Sequence, residues 1–166
     1  MRKKSSIALI ISVIVGVVVI AGGIALATRI SKLETTKTVG TFNTYEVGKL
    51  DQETGKGMTK SAKEECDDYE AYMHLKSYIN ADGLKVKVAE KATVEYRIYF
   101  YDDHYELVLA TDWLDEDFSV ADYSSSETTG IKYAQIEITP TADPDGIISS
   151  SEISTYAKML TVTYNK

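Results

Sequence analysis

The sequence has one cysteine, two prolines and two histidines among its 166 residues. Because Cys66 is alone, no disulfide can form within the chain, and the fold must be stabilised by its apolar core. His74 and His104 are thirty positions apart and have no partners at the spacing of a metal site or a catalytic triad. These shortages exclude a disulfide-stapled module and give no support to a reaction centre built on cysteine or histidine.

Basic charge is also scarce over most of the chain. Residues 29–166 carry fifteen Lys and Arg against twenty-five Asp and Glu, a net charge of −10. Nucleic acid and anionic lipid surfaces are bound by clustered Lys and Arg, so we expect no nucleic-acid partner. All tyrosines, phenylalanines and the tryptophan lie beyond residue 41. Such an aromatic segment is not typical of disorder and predicts one folded domain.

Long apolar runs are confined to the N-terminal part of the sequence. Residues 7–27 contain no charged side chain and follow Arg2, Lys3 and Lys4. At a rise of about 1.5 Å per residue, a helix of this length matches the hydrocarbon thickness of a bilayer. We therefore expect a cytoplasmic basic tail over residues 1–6 and a transmembrane signal-anchor helix over residues 7–28.

A cleaved signal peptide is the alternative, because Ala25-Leu26-Ala27 places small residues before a cleavage point. The apolar region is longer than signal peptides require, which favours the uncleaved anchor. In both cases the sequence predicts a stalk over residues 29–37 and an extracytoplasmic domain over residues 38–166. The expected location is the cell membrane, with a single span.

Apolar and polar residues alternate through most of this domain, which is typical of strands with one buried face. Residues 58–79 fit both a helix and a strand, and periodicity does not separate the two. Many short strands with little helix predict a mainly β fold, specifically an antiparallel jelly-roll-like β-sandwich. Strands are predicted over residues 39–47, 84–89, 92–103, 105–111, 132–139 and 161–165, with a short helix over residues 152–160.

The strand predicted over residues 92–103 has tyrosines on both of its faces. Aromatic rings beside polar groups are the surfaces on which β-sandwich modules stack sugar rings. The alternative, which the pattern favours, is that both faces are covered in a central strand. The candidate stacking residues are Tyr99, Tyr101 and Trp113, and the candidate hydrogen-bonding residues are Arg97, Lys76 and Asp112.

The segment over residues 141–152 partly fits a calcium-binding loop. Asp143, Asp145 and Glu152 fall at the third, fifth and twelfth positions of an EF-hand pattern. Thr141 stands where the first carboxylate is required, and a predicted strand precedes the loop instead of a helix. The sequence favours a turn followed by a serine-capped helix, with calcium as the alternative. No other cofactor is expected.

Four carboxylates surround the tryptophan: Asp112, Asp115, Glu116 and Asp117. A glycosidase needs two carboxyl groups at a defined separation. Acidic residues are so frequent in this chain that their closeness in sequence has little weight, and we expect a non-catalytic protein.

Five segments carry a resemblance to a known family: VGKLDQETG, HLKSYINADGLKVKV, VEYRIYFYDD, DWLDEDF and KYAQIEITP. Over residues 45–140 the chain resembles jelly-roll β-sandwiches of the galactose-binding-like, carbohydrate-binding-module-like type. Such domains occur in surface proteins of Firmicutes and in phage tail proteins. The resemblance implies the fold and a Gram-positive surface protein. Because binding residues in this family lie in variable loops, it assigns none here, although Lys76 stands where the family often has arginine.

These observations predict a membrane-anchored, extracytoplasmic module that binds a glycan or another cell-envelope polymer. The alternative is a protein–protein adaptor or accessory subunit of a membrane or cell-wall complex. A sugar platform requires exposed aromatic rings, whereas an adaptor requires an apolar patch or an open edge strand.

Overall fold

The computed structural model describes residues 36–38, 44–123, 129–142 and 146–165. In this part of the chain no helix is both long enough and apolar enough to cross a membrane. The predicted span over residues 7–28 lies outside the described residues. The described residues from Lys37 onward belong to one compact unit.

The described residues form two antiparallel sheets, which confirms the predicted mainly β fold. One sheet has the strand order β1-β10-β5-β8, and the other has the order β2-β3-β9-β6-β7, with β4 also paired to β9. The strands are β1 Thr36–Thr38, β2 Tyr45–Val47, β3 Met73–Leu75, β4 Ile79–Asn80, β5 Lys85–Val88, β6 Val94–Tyr101, β7 Leu107–Ala110, β8 Phe118–Ser119, β9 Tyr133–Pro140 and β10 Leu160–Asn165.

Helix is limited to short segments in the described chain: α1 (Lys60–Glu64), α2 (Ile153–Ala157) and two 3₁₀ turns, Tyr69–Ala71 and Val120–Asp122. The ambiguous segment over residues 58–79 contains both structures in succession. It begins with α1 and one 3₁₀ turn and continues into β3 and the start of β4. The mixed periodicity of this segment therefore reflects a real change from helix to strand.

The inward faces of both sheets share one apolar core. Tyr96, Ile98 and Phe100 of β6 point into it, and so do Val86 of β5 and Val162 of β10. The apolar positions of β6 recur at every second residue, so its inward face is set by strand periodicity. Both sheets bury a face in this core, as the layers of a sandwich do.

Part of the outer face of the six-stranded sheet is also covered, by the loop over residues 48–57. This loop folds back on itself through a bridge between Leu50 and Gly57 and a hydrogen bond from the Asp51 amide to the Lys56 carbonyl, 2.9 Å. Leu50 packs on Tyr99 and Tyr101 to form a second small cluster. Loop 48–57 thus buries the outer face of β6 at Tyr99 and Tyr101, so this end of the strand is buried on both faces.

The long pairing of β6 with β9 positions the side chains of the outer face. It runs from Val94 opposite Pro140 to Tyr101 opposite Tyr133. Because both strands alternate together, the residues that share the outer face of β9 with Tyr133 are Gln135, Glu137 and Thr139.

Candidate functional site

Glu137 of β9 is a buried carboxylate, with 1% of its surface exposed. Its Oε1 accepts a hydrogen bond from the Leu50 amide at 2.6 Å, and its Oε2 accepts one from the Tyr99 hydroxyl at 3.0 Å. On the flanking strands, His74 and Arg97 occupy the positions opposite Glu137. Both carboxylate oxygens are therefore used to hold loop 48–57 and Tyr99 on the sheet.

Burial raises the pKa of Glu137 above its ordinary value, although the Leu50 amide, the Tyr99 hydroxyl and the charge of Arg97 oppose this shift. A carboxyl group whose pKa is raised by folding binds its proton more tightly in the folded protein than in the unfolded chain, so protonation favours folding. Urea unfolding should show wild type gaining stability relative to Glu137→Gln as the pH falls from about 7 to about 4.5. A difference that does not change with pH contradicts this account.

Tyr99 and Tyr101, predicted as stacking surfaces, are both 0% exposed. The Tyr99 hydroxyl donates to Glu137, and the Tyr101 hydroxyl donates to the Gly55 carbonyl of the covering loop. Neither ring is available to stack on a sugar. This corrects the predicted role of both residues, and the alternative of a strand covered on both faces applies to them.

Arg97 and Trp113 lie together, as parts of a half-buried patch. The guanidinium carbon of Arg97 is 4.8 Å from the centroid of the Trp113 ring, which is cation–π distance. The Trp113 ring is also 5.7 Å from the ring of Tyr72, and the Arg97 Nε is buried without a hydrogen-bond partner. Asp112, next in sequence, is exposed. Much of the Trp113 ring is thus covered by neighbouring side chains.

Lys76 is exposed and lies in a different place, beside three tyrosines. We call this concave surface the tyrosine groove; it has a volume of about 380 Å³ and is lined by Lys76, Ser77, Tyr78, Tyr105 and Tyr133. The rings of Tyr105 and Tyr133 are stacked, with centroids 4.5 Å apart and planes at 13°. The Tyr78 ring lies 4.8 Å from that of Tyr105. Three rings therefore line one open surface.

The tyrosine groove rests on the buried outer face of the sheet. The edge of the Tyr78 ring packs on Tyr101, with centroids 4.8 Å apart and planes at 88°. Tyr101 is also opposite Tyr133 in the β6–β9 ladder. Tyr101 is therefore a support for the rings of the tyrosine groove, although it is not itself a contact surface.

Tyr105 is held in an unusual backbone conformation. Its φ angle is +62°, the left-handed region that glycine prefers, and its side chain is 41% exposed. The surrounding turn is fixed by the Asp102 carboxylate, which accepts hydrogen bonds from the amides of His104 and Glu106 at 2.8 and 3.0 Å. Backbone strain held in place by its surroundings is concentrated at functional sites in proteins.

A second concavity adjoins the tyrosine groove and shares Tyr133 with it. This concavity has a volume of about 640 Å³, and its lining residues are Asn80, Ala81, Asp82, Val120, Ile131, Lys132 and Tyr133. Its polar groups are a carboxylate, an amide and an ammonium group. The two concavities together combine aromatic rings with a few polar side chains, as ligand sites in proteins do.

The residues predicted to bind calcium are only partly described. Asp143 and Asp145 lie outside the described residues. The Glu152 carboxylate accepts hydrogen bonds from the amide and the hydroxyl of Ser149, at 2.9 and 2.6 Å, and these bonds lower its pKa. These bonds close a turn that directly precedes α2, whose N-cap residue is Glu152. The Glu152 carboxylate is therefore engaged within this turn, whereas the predicted serine cap is wrong, because the N-cap of α2 makes no side-chain hydrogen bond.

Asp102, Asp103 and His104 bring three potential metal ligands within 4.8 Å of one another. These groups already have local partners: the Asp102 carboxylate holds the turn, and His104 Nδ1 lies 2.7 Å from Asp103. The geometry is explained by a tight turn at an exposed hairpin tip. It gives no reason to assign a metal.

Sequence reasoning did not identify Tyr78, Tyr105 or Tyr133 as site residues. The alternation of β9 begins at Tyr133, so the sequence pattern was sufficient to place Tyr133 on the same face as Glu137. The pattern could not show that Tyr133 is only half-buried, because that depends on where loop 48–57 stops covering the sheet. Tyr105 had one local signal, its position directly after the Asp-Asp-His turn.

No protein-family model, curated protein or solved structure matches this chain. The similarity to jelly-roll carbohydrate-binding domains therefore stays a prediction, while the mainly β fold with two antiparallel sheets is a structural observation. Any assignment of function depends on the geometry of the tyrosine groove.

Proposed function

We propose that this protein is a non-catalytic module that binds a glycan of the cell envelope through the tyrosine groove. The observation that carries the proposal is the stacked pair of exposed Tyr105 and half-buried Tyr133 in a concave surface. Its function is then close to the one predicted from the sequence. The site, however, is different from the predicted one, since only Lys76 belongs to both.

The groove offers the chemistry that a sugar ring requires. The C–H face of a pyranose packs on an aromatic ring, and its hydroxyls need hydrogen-bonding groups at the edge. Tyr105 and Tyr133 stack on each other, and the exposed part of the Tyr105 ring is the surface on which a sugar would pack. Lys76 and Ser77 on one side, and Asn80 on the other, supply the polar groups.

The strained turn supports the same proposal. An extended polymer bound on a surface groove gains little from burial, so rings that are already ordered lower the entropy cost of binding. Tyr105 is fixed by the Asp102 turn and by its stacking partner, and Tyr78 is fixed by Tyr101. The aromatic surface therefore exists before a ligand arrives.

The proposed cellular setting comes from the sequence. An anchor over residues 7–28 with a jelly-roll-like domain outside the membrane would place the groove where envelope polymers are found. A module of this kind needs no catalytic carboxylate pair. In this setting it would hold the membrane next to the polymer that it binds.

The proposal is tested by co-sedimentation of the full-length protein, in mild detergent, with insoluble peptidoglycan, wall polymers and common polysaccharides. Tyr105→Gly removes the ring and permits a φ angle of +62°, so it tests the ring without adding backbone strain. We expect Tyr105→Gly and Tyr133→Ala each to weaken retention about tenfold, as the loss of one stacking ring would.

Trp113→Ala is the matched control, because Trp113 forms a half-buried patch with Arg97, which we call the Arg97 patch, and neither residue lines the tyrosine groove. It should retain polymer binding, with thermal unfolding used to confirm that each variant is folded. If Trp113→Ala abolishes retention and the groove variants do not, the site is the Arg97 patch. If wild type is retained on none of the polymers, the glycan function is wrong.

A protein–protein adaptor is the second candidate, and one observation favours it. In the described residues β7 pairs only with β6 and so forms an edge of the six-stranded sheet. Val108 of β7 is 42% exposed. An open edge strand with an exposed apolar residue can accept a strand from another protein. Failure of all polymers to retain the protein would make this edge the next surface to test.

A further inference from the structure

We infer that the glycan bound in the tyrosine groove is anionic, with negatively charged groups spaced along a sugar chain. This inference rests on the proposed glycan-binding function and specifies its ligand class. It is carried by two lysines, Lys76 and Lys132, which flank Tyr133 from the two adjoining concavities.

Both lysines are exposed, and neither ammonium group has an ion-pair or hydrogen-bond partner within the described chain. Three other lysines are engaged. Lys49 pairs with Asp68 at 2.6 Å, Lys56 pairs with Glu106 at 3.1 Å, and Lys63 lies over the ring of Tyr69. Lys76 and Lys132 are thus free to bind a ligand.

The carboxylates beside the groove have polar partners within the protein, including those of Asp102 and Asp103 in the turn that holds Tyr105. Asp82 lines the second concavity, and its Oδ2 accepts a hydrogen bond from the Asn165 side chain at 3.0 Å. Glu106, which borders Tyr78, is paired with Lys56. The residues that line the two concavities therefore carry two positive charges and one negative charge.

The local excess of positive charge in the two concavities contrasts with the rest of the chain, since residues 29–166 carry a net charge of −10. The protein as a whole repels a polyanion, so an anionic chain would be held only where positive groups are placed for it. Tyr133 is a member of both linings, and each lining contains one of the two lysines. A polymer that passes over Tyr133 would stack a sugar on the rings and meet one ammonium group on each side.

The test measures binding of the full-length protein to three soluble polymers: polygalacturonate, a phosphodiester-linked glycerol polymer, and neutral dextran. Carboxylate and phosphodiester groups share the chemistry of an anionic oxygen, and comparison of the first two probes distinguishes them. The variant is Lys76→Gln/Lys132→Gln, which keeps hydrogen-bonding groups at both positions. Lys85→Gln/Lys87→Gln is the matched control, because these exposed lysines lie on β5 of the other sheet.

We expect tighter binding to at least one anionic polymer than to dextran, and a loss of about tenfold in Lys76→Gln/Lys132→Gln but not in the control. The affinity should also fall as salt is raised from about 0.05 to about 0.5 M. Equal binding of dextran, with no effect of the groove lysines, would overturn this inference and leave the glycan function in place. An equal loss in the Lys85/Lys87 control would also overturn it. Failure to bind any of the three polymers would count against the inference and the proposed function together.

Discussion

Replacement of Glu137 by alanine is expected to lower the free energy of unfolding by about 3 kcal/mol. The carboxylate accepts from the Leu50 amide and from the Tyr99 hydroxyl. Alanine leaves both donors in a buried site without an acceptor and leaves a cavity beside them. Each unsatisfied buried donor costs about 1–3 kcal/mol, which makes this one of the most damaging single changes on the outer face.

Glu137→Gln provides the control for this prediction. The glutamine oxygen can accept from the Leu50 amide, and the Tyr99 hydroxyl oxygen can accept from the glutamine amide group. Burial of the charge is avoided, which offsets part of the cost of the Tyr99 hydroxyl hydrogen left without an acceptor, so the loss should be about 1 kcal/mol. Urea unfolding of the three proteins measures the difference. An alanine variant as stable as wild type would show that Glu137 does not hold loop 48–57 on the sheet.

Replacement of Gly48 by alanine is expected to lower the free energy of unfolding by about 2 kcal/mol. Gly48 has a φ angle of +144°, which side chains rarely tolerate, and a Cβ atom there would lie 2.2 Å from the Tyr69 hydroxyl oxygen. The Gly48 amide also donates to the Tyr72 carbonyl at 2.8 Å. If the backbone moved to relieve this clash, the hydrogen bond from the Gly48 amide to the Tyr72 carbonyl would be lost where the chain enters loop 48–57.

Gly57 gives a matched control at the other end of the same loop. It has no strained φ angle, and no atom lies within 4 Å of a Cβ built there. Gly57→Ala should change stability by no more than about 0.5 kcal/mol. Thermal and urea unfolding compare the two variants, and equal effects at Gly48 and Gly57 would contradict the role assigned to the conformation of Gly48.

The sequence was sufficient to predict which face of a strand each residue occupies. In β6, Tyr96, Ile98 and Phe100 were expected on one face and Tyr99 and Tyr101 on the other, and the structure has them so. Alternation follows from the pleat of a single strand, so it needs no knowledge of distant residues. The mainly β fold could be predicted for the same reason.

The sequence was not sufficient to predict what covers each face. Tyr99 and Tyr101 are buried by Leu50, which lies about fifty residues earlier in a loop that reads as a simple turn. A strand pattern gives the direction of a side chain but not its neighbour across the sheet surface. The predicted stacking role of both tyrosines is wrong for this reason.

The candidate site was mostly beyond sequence prediction for a related reason. Tyr78, Tyr105 and Tyr133 come from three separate segments that meet only through the β4–β9 and β6–β9 pairings. Tyr105 was assigned to the start of a strand, whereas its φ angle of +62° places it in the preceding turn. Lys76 was the only residue of the tyrosine groove that was predicted from the sequence, and it was predicted to act beside other aromatic residues, Tyr99, Tyr101 and Trp113.

The most direct test of the account is a footprint of the tyrosines on the full-length protein with and without the polymer that retains it. Nitration read by mass spectrometry would report each ring, with half-buried Tyr164 of β10, in the other sheet, as the internal reference. The account predicts that polymer protects Tyr105 and Tyr133 and leaves the nitration of Tyr164 unchanged. Bound polymer that leaves Tyr105 as reactive as in the free protein would contradict the central claim that the tyrosine groove is the binding site.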